Sequence, residues 1–303
     1  MRYFGHNNRL IVNELTFSFT DQGPDNAPTI IFIHGFPLNK TMWDKQVELL
    51  NTDFRVITYD IRGHGESDAG NEAFSIDLFV SDLIGLMNIL EINKASVCGL
   101  SMGGYIALNA IVNYPDRFEA LVLCDTTCTA DSTEAKDKRM KVVESIIKFG
   151  VNKYAEGSIL NLFTAESIKL KVEEIALVKE MTLNTSELVL CSTLLALASR
   201  HETCSKLAEI NVPVLILVGD QDVLTPVPAA LFMHENIINS TVKVIEHAAH
   251  LSNLEKPELF NHHLKEFFES VFKEYIVTRQ NSDHSILKEI RNKLNMLLAF
   301  RSI

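Results

Sequence analysis

No run in the 303-residue sequence approaches the roughly 18 consecutive apolar residues that a membrane-spanning helix needs. Basic residues are in deficit, with 28 Lys and Arg against 39 Asp and Glu and a net charge of −11. A surface of that sign repels phosphate backbones and anionic headgroups, so neither nucleic acid nor membrane is an expected partner. Cysteine is sparse and odd in number, at positions 98, 124, 128, 191 and 204, with no CxxC pair. That pattern suits neither a disulfide framework nor a zinc cluster, and the five thiols are expected to be free and reduced. Cys98 and Cys124 lie in apolar runs, where a thiol behaves as a small hydrophobe. No grouping of His, Cys, Asp and Glu has metal-ligand spacing, so no metal and no other cofactor is expected. Repeats and low-complexity tracts are missing too. Residues 1–8 lack the apolar stretch of a signal peptide, which leads to the expectation of a cytoplasmic protein.

What is present is a large core: 47% of residues are hydrophobic and 22% charged. After a β-rich start at 10–20, strand-like runs fall at 29–34, 55–60, 95–100, 120–125, 213–219 and 241–246. Their apolar residues are nearly continuous, as in parallel strands covered on both faces. Helical segments alternate with them, which predicts an α/β fold with a mostly parallel central sheet flanked by helices. The clearest helix starts at Ser75, a plausible N-cap, and puts Ile76, Phe79, Val80, Leu83, Met87 and Leu90 on one face. The alternation breaks once, between 125 and 213. Helices expected at 133–149, 151–163, 166–182 and 186–199 fill the gap as an inserted lid. The expected organisation is a core of 1–126 and 206–274, a helical lid at 127–205, and an extra element at 275–303. In that last stretch Asp283 could cap an amphipathic helix carrying Ile286, Leu287, Ile290, Leu294 and Leu297. Such a stripe must bury itself, on its own chain or in a homodimer contact.

The chemistry concentrates at strand ends. Gly99-Leu100-Ser101-Met102-Gly103 matches the G-x-S-x-G nucleophile elbow, with a buried strand leading in and a helix at 105–114 leading out. A serine hydroxyl is a poor nucleophile, so it needs a base and a group that orients the base. Asp222 follows the strand at 213–219 and is the expected acid, with Asp220 as its rival. His250 follows the strand at 241–246 and is the expected base, with His247 three residues earlier as the competitor. Oxyanion donors are expected from the backbone N–H of Met102, at the helix start, and of Phe36, in His34-Gly35-Phe36-Pro37. Phe36, Pro37 and Met102 are also candidates for the substrate pocket. His34 reads as a loop buttress. In the loop Asp60-Ile61-Arg62-Gly63-His64-Gly65-Glu66-Ser67-Asp68, scaffolding is favoured over a catalytic role for Arg62 or His64.

These motifs, in this order and spacing, resemble the α/β-hydrolase fold over about residues 10–272. Cys98–Gly104 and the loop at 60–67 are similar to 3-oxoadipate enol-lactonases and related small carboxylesterases. Phe36-Pro37-Leu38, Trp43 and Ser101-Met102 also look like cofactor-free perhydrolases and arylesterases. The resemblance implies a hydrolase that cleaves a small carboxylic ester or lactone through an acyl-Ser101 intermediate. Perhydrolysis, or a hydrolase-fold signalling receptor with little turnover, stand as alternatives. Relatives with Asp at the nucleophile position, such as epoxide hydrolases, are excluded by Ser101. The sequence departs from the family at Ala249, where a glycine commonly precedes the histidine.

Overall fold

A computed structural model describes residues 5–279. Eight strands form one sheet: β1 (Gly5–Val12), β2 (Leu15–Gln22), β3 (Thr29–Ile33), β4 (Arg55–Tyr59), β5 (Ala95–Leu100), β6 (Phe118–Cys124), β7 (Val214–Gly219) and β8 (Ser240–Ile245). Their spatial order is β1-β2-β4-β3-β5-β6-β7-β8. The β1–β2 hairpin and the β2–β4 pair are antiparallel, and all other pairs are parallel. The β-rich start is therefore two strands, turned at Asn13 and Glu14, both of positive φ. Strands β3, β5 and β7 are buried along their whole length, which is why their apolar residues run on without alternation.

Helices α1 (Asp44–Leu50), α2 (Ile76–Ile89) and α3 (Met102–Asn113) connect the early strands. The oxygen of Ser75 caps α2 by accepting from the Leu78 N–H at 3.0 Å. Between β6 and β7 the chain runs through α4 (Thr133–Leu162), α5 (Ser167–Leu170), α6 (Val172–Leu183) and α7 (Glu187–Ser199). Helix α4 covers two expected helices, broken at Gly150 with φ 80°. Helices α8 (Val227–Asn236), α9 (Ser252–Glu255) and α10 (Pro257–Val271) complete the fold. No single helix among the described residues is long and apolar enough to cross a membrane.

The sheet separates two cores. One face packs on α2 and α3 through Leu83, Met87, Ile106 and Ile111. The other packs on α1, the turn before it and α10 through Trp43, Val47, Phe260, Leu264 and Phe268. In α10 the buried residues Pro257, Phe260, Leu264 and Phe268 are spaced by three or four, the repeat of one helix face. Burying each phenylalanine contributes roughly 2–3 kcal/mol. The second core extends into the insert through Ile159, Leu162, Val178 and Met181, so α4 and α6 are anchored to the sheet layer.

One expectation needs correction. Cys128 and Cys204, 76 residues apart, form a disulfide, so the reading of five free thiols fails. The chain leaves the sheet after β6 and returns before β7, its immediate neighbour, so the two ends of the insert meet. The Thr203 N–H donates to the Cys128 carbonyl at 2.8 Å beside the bridge. Arg200, bonded to Asp131 at 2.6 Å and stacked over Tyr105, reinforces the same junction. No motif marks such a pair, because closure of the insert creates it. Cys98 and Cys124 are buried and free. The expected helix at 283–298 and its dimer contact lie outside the described residues.

Candidate active site

Strand β5 ends in a turn so sharp that Ser101 takes φ 53° and ψ −111°, a conformation unusual for a residue with a side chain. The flanking glycines permit it. A Cβ on Gly99 would lie 2.2 Å from the Gly103 carbonyl oxygen, and one on Gly103 would lie 2.2 Å from that of Ile33. Helix α3 begins at Met102, three residues earlier than expected, so its positive end abuts Ser101.

Ser101, His250 and Asp222 come together in a hydrogen-bonded relay. His250 Nε2 lies 2.8 Å from Ser101 Oγ, and Nδ1 lies 2.8 Å from Asp222 Oδ2. With its proton on Nδ1, the ring donates to the carboxylate and accepts from the serine hydroxyl. Asp222 is held from all sides: Oδ1 accepts the N–H groups of Leu224 and Thr225, and Oδ2 accepts the Thr225 hydroxyl at 2.6 Å. Burial alone would raise this carboxyl, but the His250 charge and these donors outweigh it and hold the group at about 2. The rivals lie elsewhere. Asp220 is exposed and accepts the Ala248 N–H, and His247 is exposed at φ 58°.

The loop after β3 runs beside Ser101: a Cβ on Gly35 would stand 3.5 Å from the Ser101 Cβ. The N–H groups of Phe36 and Met102 have no acceptor among the described residues. The Met102 side chain is packed in the core and Pro37 is buried, whereas Phe36 is half-buried against the insert. His34 buttresses this loop, accepting from the Ile61 N–H at 2.9 Å through Nε2 and donating to the Gly35 carbonyl through Nδ1. The loop at 60–68 is scaffolding. Arg62 makes a two-pronged bond to Asp82, both fully buried, and Asp60 gathers the Lys40 ammonium, Lys40 N–H and Glu66 N–H.

Two buried carboxyls escaped the sequence reading. Asp125, just past β6, accepts the Gly219 N–H at 2.8 Å and the Ser252 hydroxyl, tying the acid loop to the histidine loop. Burial, and then the charge of Asp222, push its carboxyl well above the usual range. Glu255 accepts the Ala249 N–H at 2.6 Å and the Thr164 N–H at 2.9 Å, joining the histidine loop to the insert. Ala249, in place of the usual glycine, is thus a fixed part of that loop. An aspartate at the end of a buried strand on the chemical edge was the one available signal for Asp125.

The rings of His34 and His64 lie 5.4 Å apart, tilted by 59°, beneath the loop that carries Phe36. Burial lowers His64 to about 4 against the pull of the Arg62 and Ile61 carbonyls, and burial with the neighbouring His64 lowers His34 well below its ordinary value. In the unfolded chain these rings take up protons below about pH 6.5, whereas in the fold they resist. Their contribution to stability is therefore complete above pH 6.5 and is lost as the pH falls toward 4. For His64 the displacement corresponds to about 3 kcal/mol. The melting temperature should fall over that window, and His64→Gln should flatten the fall. An unchanged slope in the variant would clear His64 of responsibility.

Comparison with known proteins agrees with this geometry. A family model described as serine aminopeptidase, S33, matches residues 24–257. The chain is 30% identical to 3-oxoadipate enol-lactonase 2 of Acinetobacter baylyi, over 86% of this chain and 96% of the lactonase. Among solved structures, a thermophilic esterase from Thermogutta terrifontis superposes with a TM-score of 0.83 at 32% identity, covering 88% of this chain and 99% of the esterase. The enol-lactonase from Burkholderia xenovorans LB400 superposes at 0.81 with 27% identity, covering 86% and 99%. The chain belongs to the α/β-hydrolase family. It is an enzyme of the serine-hydrolase type, with esterases and lactonases among its relatives.

Proposed function

We propose that the protein hydrolyses a carboxylic ester or lactone of a small substrate through an acyl-Ser101 intermediate. The observation that carries this reading is the unbroken relay from Ser101 Oγ through His250 to Asp222, with both links at 2.8 Å. His250 Nε2 takes the hydroxyl proton as Oγ attacks the carbonyl carbon. Asp222 holds the imidazole in the required tautomer and stabilises the imidazolium. The carbonyl oxygen, now negative, is received by the N–H groups of Phe36 and Met102, preorganised donors of the kind worth about 3–4 kcal/mol each. The imidazolium then gives its proton to the departing alkoxide. Water enters, loses a proton to His250 and attacks the acyl carbon; His250 then returns that proton to Ser101 Oγ as the acid departs. In a lactone the alkoxide stays tethered to the acyl chain, and the product is a single hydroxy acid.

Purified protein should hydrolyse p-nitrophenyl acetate or butyrate, or a lactone of similar size, at about 1 s⁻¹ or faster, within the ordinary enzyme range. Turnover far below that across esters, lactones and thioesters would overturn this reading.

A further inference from the structure

The three loops that carry the relay meet at one short stretch, Cys124-Asp125-Thr126, where β6 ends. This stretch holds the nucleophile turn twice. The Ser101 N–H donates to the Cys124 carbonyl at 2.9 Å, and the Thr126 hydroxyl donates to the Ser101 carbonyl at 2.8 Å. Asp125 reaches the other two loops. Its Oδ1 accepts the N–H of Gly219, three residues before Asp222, at 2.8 Å. Its Oδ2 accepts the hydroxyl of Ser252, two residues after His250. The two loops it joins are themselves in close contact. A Cβ on Gly219 would lie 2.2 Å from the Ala249 carbonyl oxygen, and the Gln221 N–H donates to the Ala248 carbonyl at 2.9 Å.

Stability alone does not favour a carboxyl at this point. Asp125 is fully buried, its φ is 44°, and the like charge of Asp222 acts on it. A residue kept under strain and repulsion is one that its surroundings hold for a function. We propose that Asp125 is a positioning residue of the reaction: by joining Gly219 to Ser252 it fixes the spacing of the acid and histidine loops, and with it the reach of His250 Nε2 to Ser101 Oγ. This rests on the acyl-Ser101 reading above. Proton transfer and attack need their atoms in place, and a misplacement of about 1 Å that arises away from the chemistry can cost roughly 100-fold in rate. Neither bond of the Asp125 carboxylate involves the loop that carries Phe36, so the effect should fall on kcat and spare KM.

The test measures p-nitrophenyl butyrate hydrolysis by wild type, Asp125→Ala, Ser252→Ala and the double variant. Rates are divided by the number of Ser101 sites that a fluorophosphonate labels when the reaction is run to completion. Asp125→Ala should lose about 100-fold in kcat per labelled site, with KM within about threefold of wild type. Ser252→Ala, which removes one of the two arms, should lose about tenfold. The double variant should be no worse than Asp125→Ala, because the hydroxyl acts through the carboxylate. A merely structural carboxyl would lower the melting temperature and the labelled fraction but leave kcat per labelled site unchanged. That result, or losses that multiply in the double variant, would overturn the proposal. If Asp125→Ala does not fold, Ser252→Ala decides alone, and kcat per site within about threefold of wild type would overturn it. Failure of the underlying reading looks different: wild type itself would neither take the label on Ser101 nor hydrolyse the ester, and both proposals would fall.

Discussion

Ser101→Ala should lower kcat on p-nitrophenyl esters by about 10⁶, the scale seen when a serine nucleophile is removed from an assembled relay. The expectation rests on three features acting at one atom. The strained elbow projects Oγ beyond the sheet edge, the start of α3 supplies a positive end beside it, and His250 Nε2 stands 2.8 Å away to take its proton. Alanine keeps the Cβ and tolerates the same backbone, so folding is not at stake, and an unchanged near-UV circular dichroism spectrum would confirm that. Residual turnover should come from the oxyanion donors and substrate binding alone. A folded Ser101→Ala protein retaining a hundredth of wild-type kcat would mean that another group attacks the carbonyl.

The histidines give the second large effect. His250→Ala should cost about as much as loss of the serine, because the two act as one unit. His247→Ala should change kcat little. His250 is buried, with both ring nitrogens occupied by Ser101 and Asp222, whereas His247 is exposed on the turn leading to it. Comparing the two variants in one assay removes any dependence on the absolute rate. If His247→Ala were the inactive one, the base would have to be reassigned and the loop at 246–250 rearranged during turnover.

Much of this was legible in the sequence because it is local. The elbow is written in five residues, since only glycine fits two before and two after Ser101. The N-cap at Ser75 and the break at Gly150 are local too. The strands of the parallel sheet show as unbroken apolar runs, and the ends of those runs locate Asp222 and His250. What escaped is made by distant pairs. Asp125 meets Ser252 across 127 positions, and Glu255 meets Thr164 across 91. Neither carboxyl sits in a motif, and each is defined by the polar groups that folding brings to it. The Cys128–Cys204 bridge escaped for the same reason, because sparse cysteines pair when an insert returns to its own starting point.

The central claim is that Ser101 attacks an acyl carbon, and covalent trapping tests it most directly. A fluorophosphonate reacts with a serine activated by an adjacent base and leaves a stable adduct on its oxygen. Intact-mass measurement after labelling should show one adduct per chain, with hydrolysis lost in parallel. Peptide mapping should place the adduct on Ser101, and His250→Ala should label far more slowly. An adduct on any other residue, or none at all in protein that still hydrolyses esters, would contradict the account.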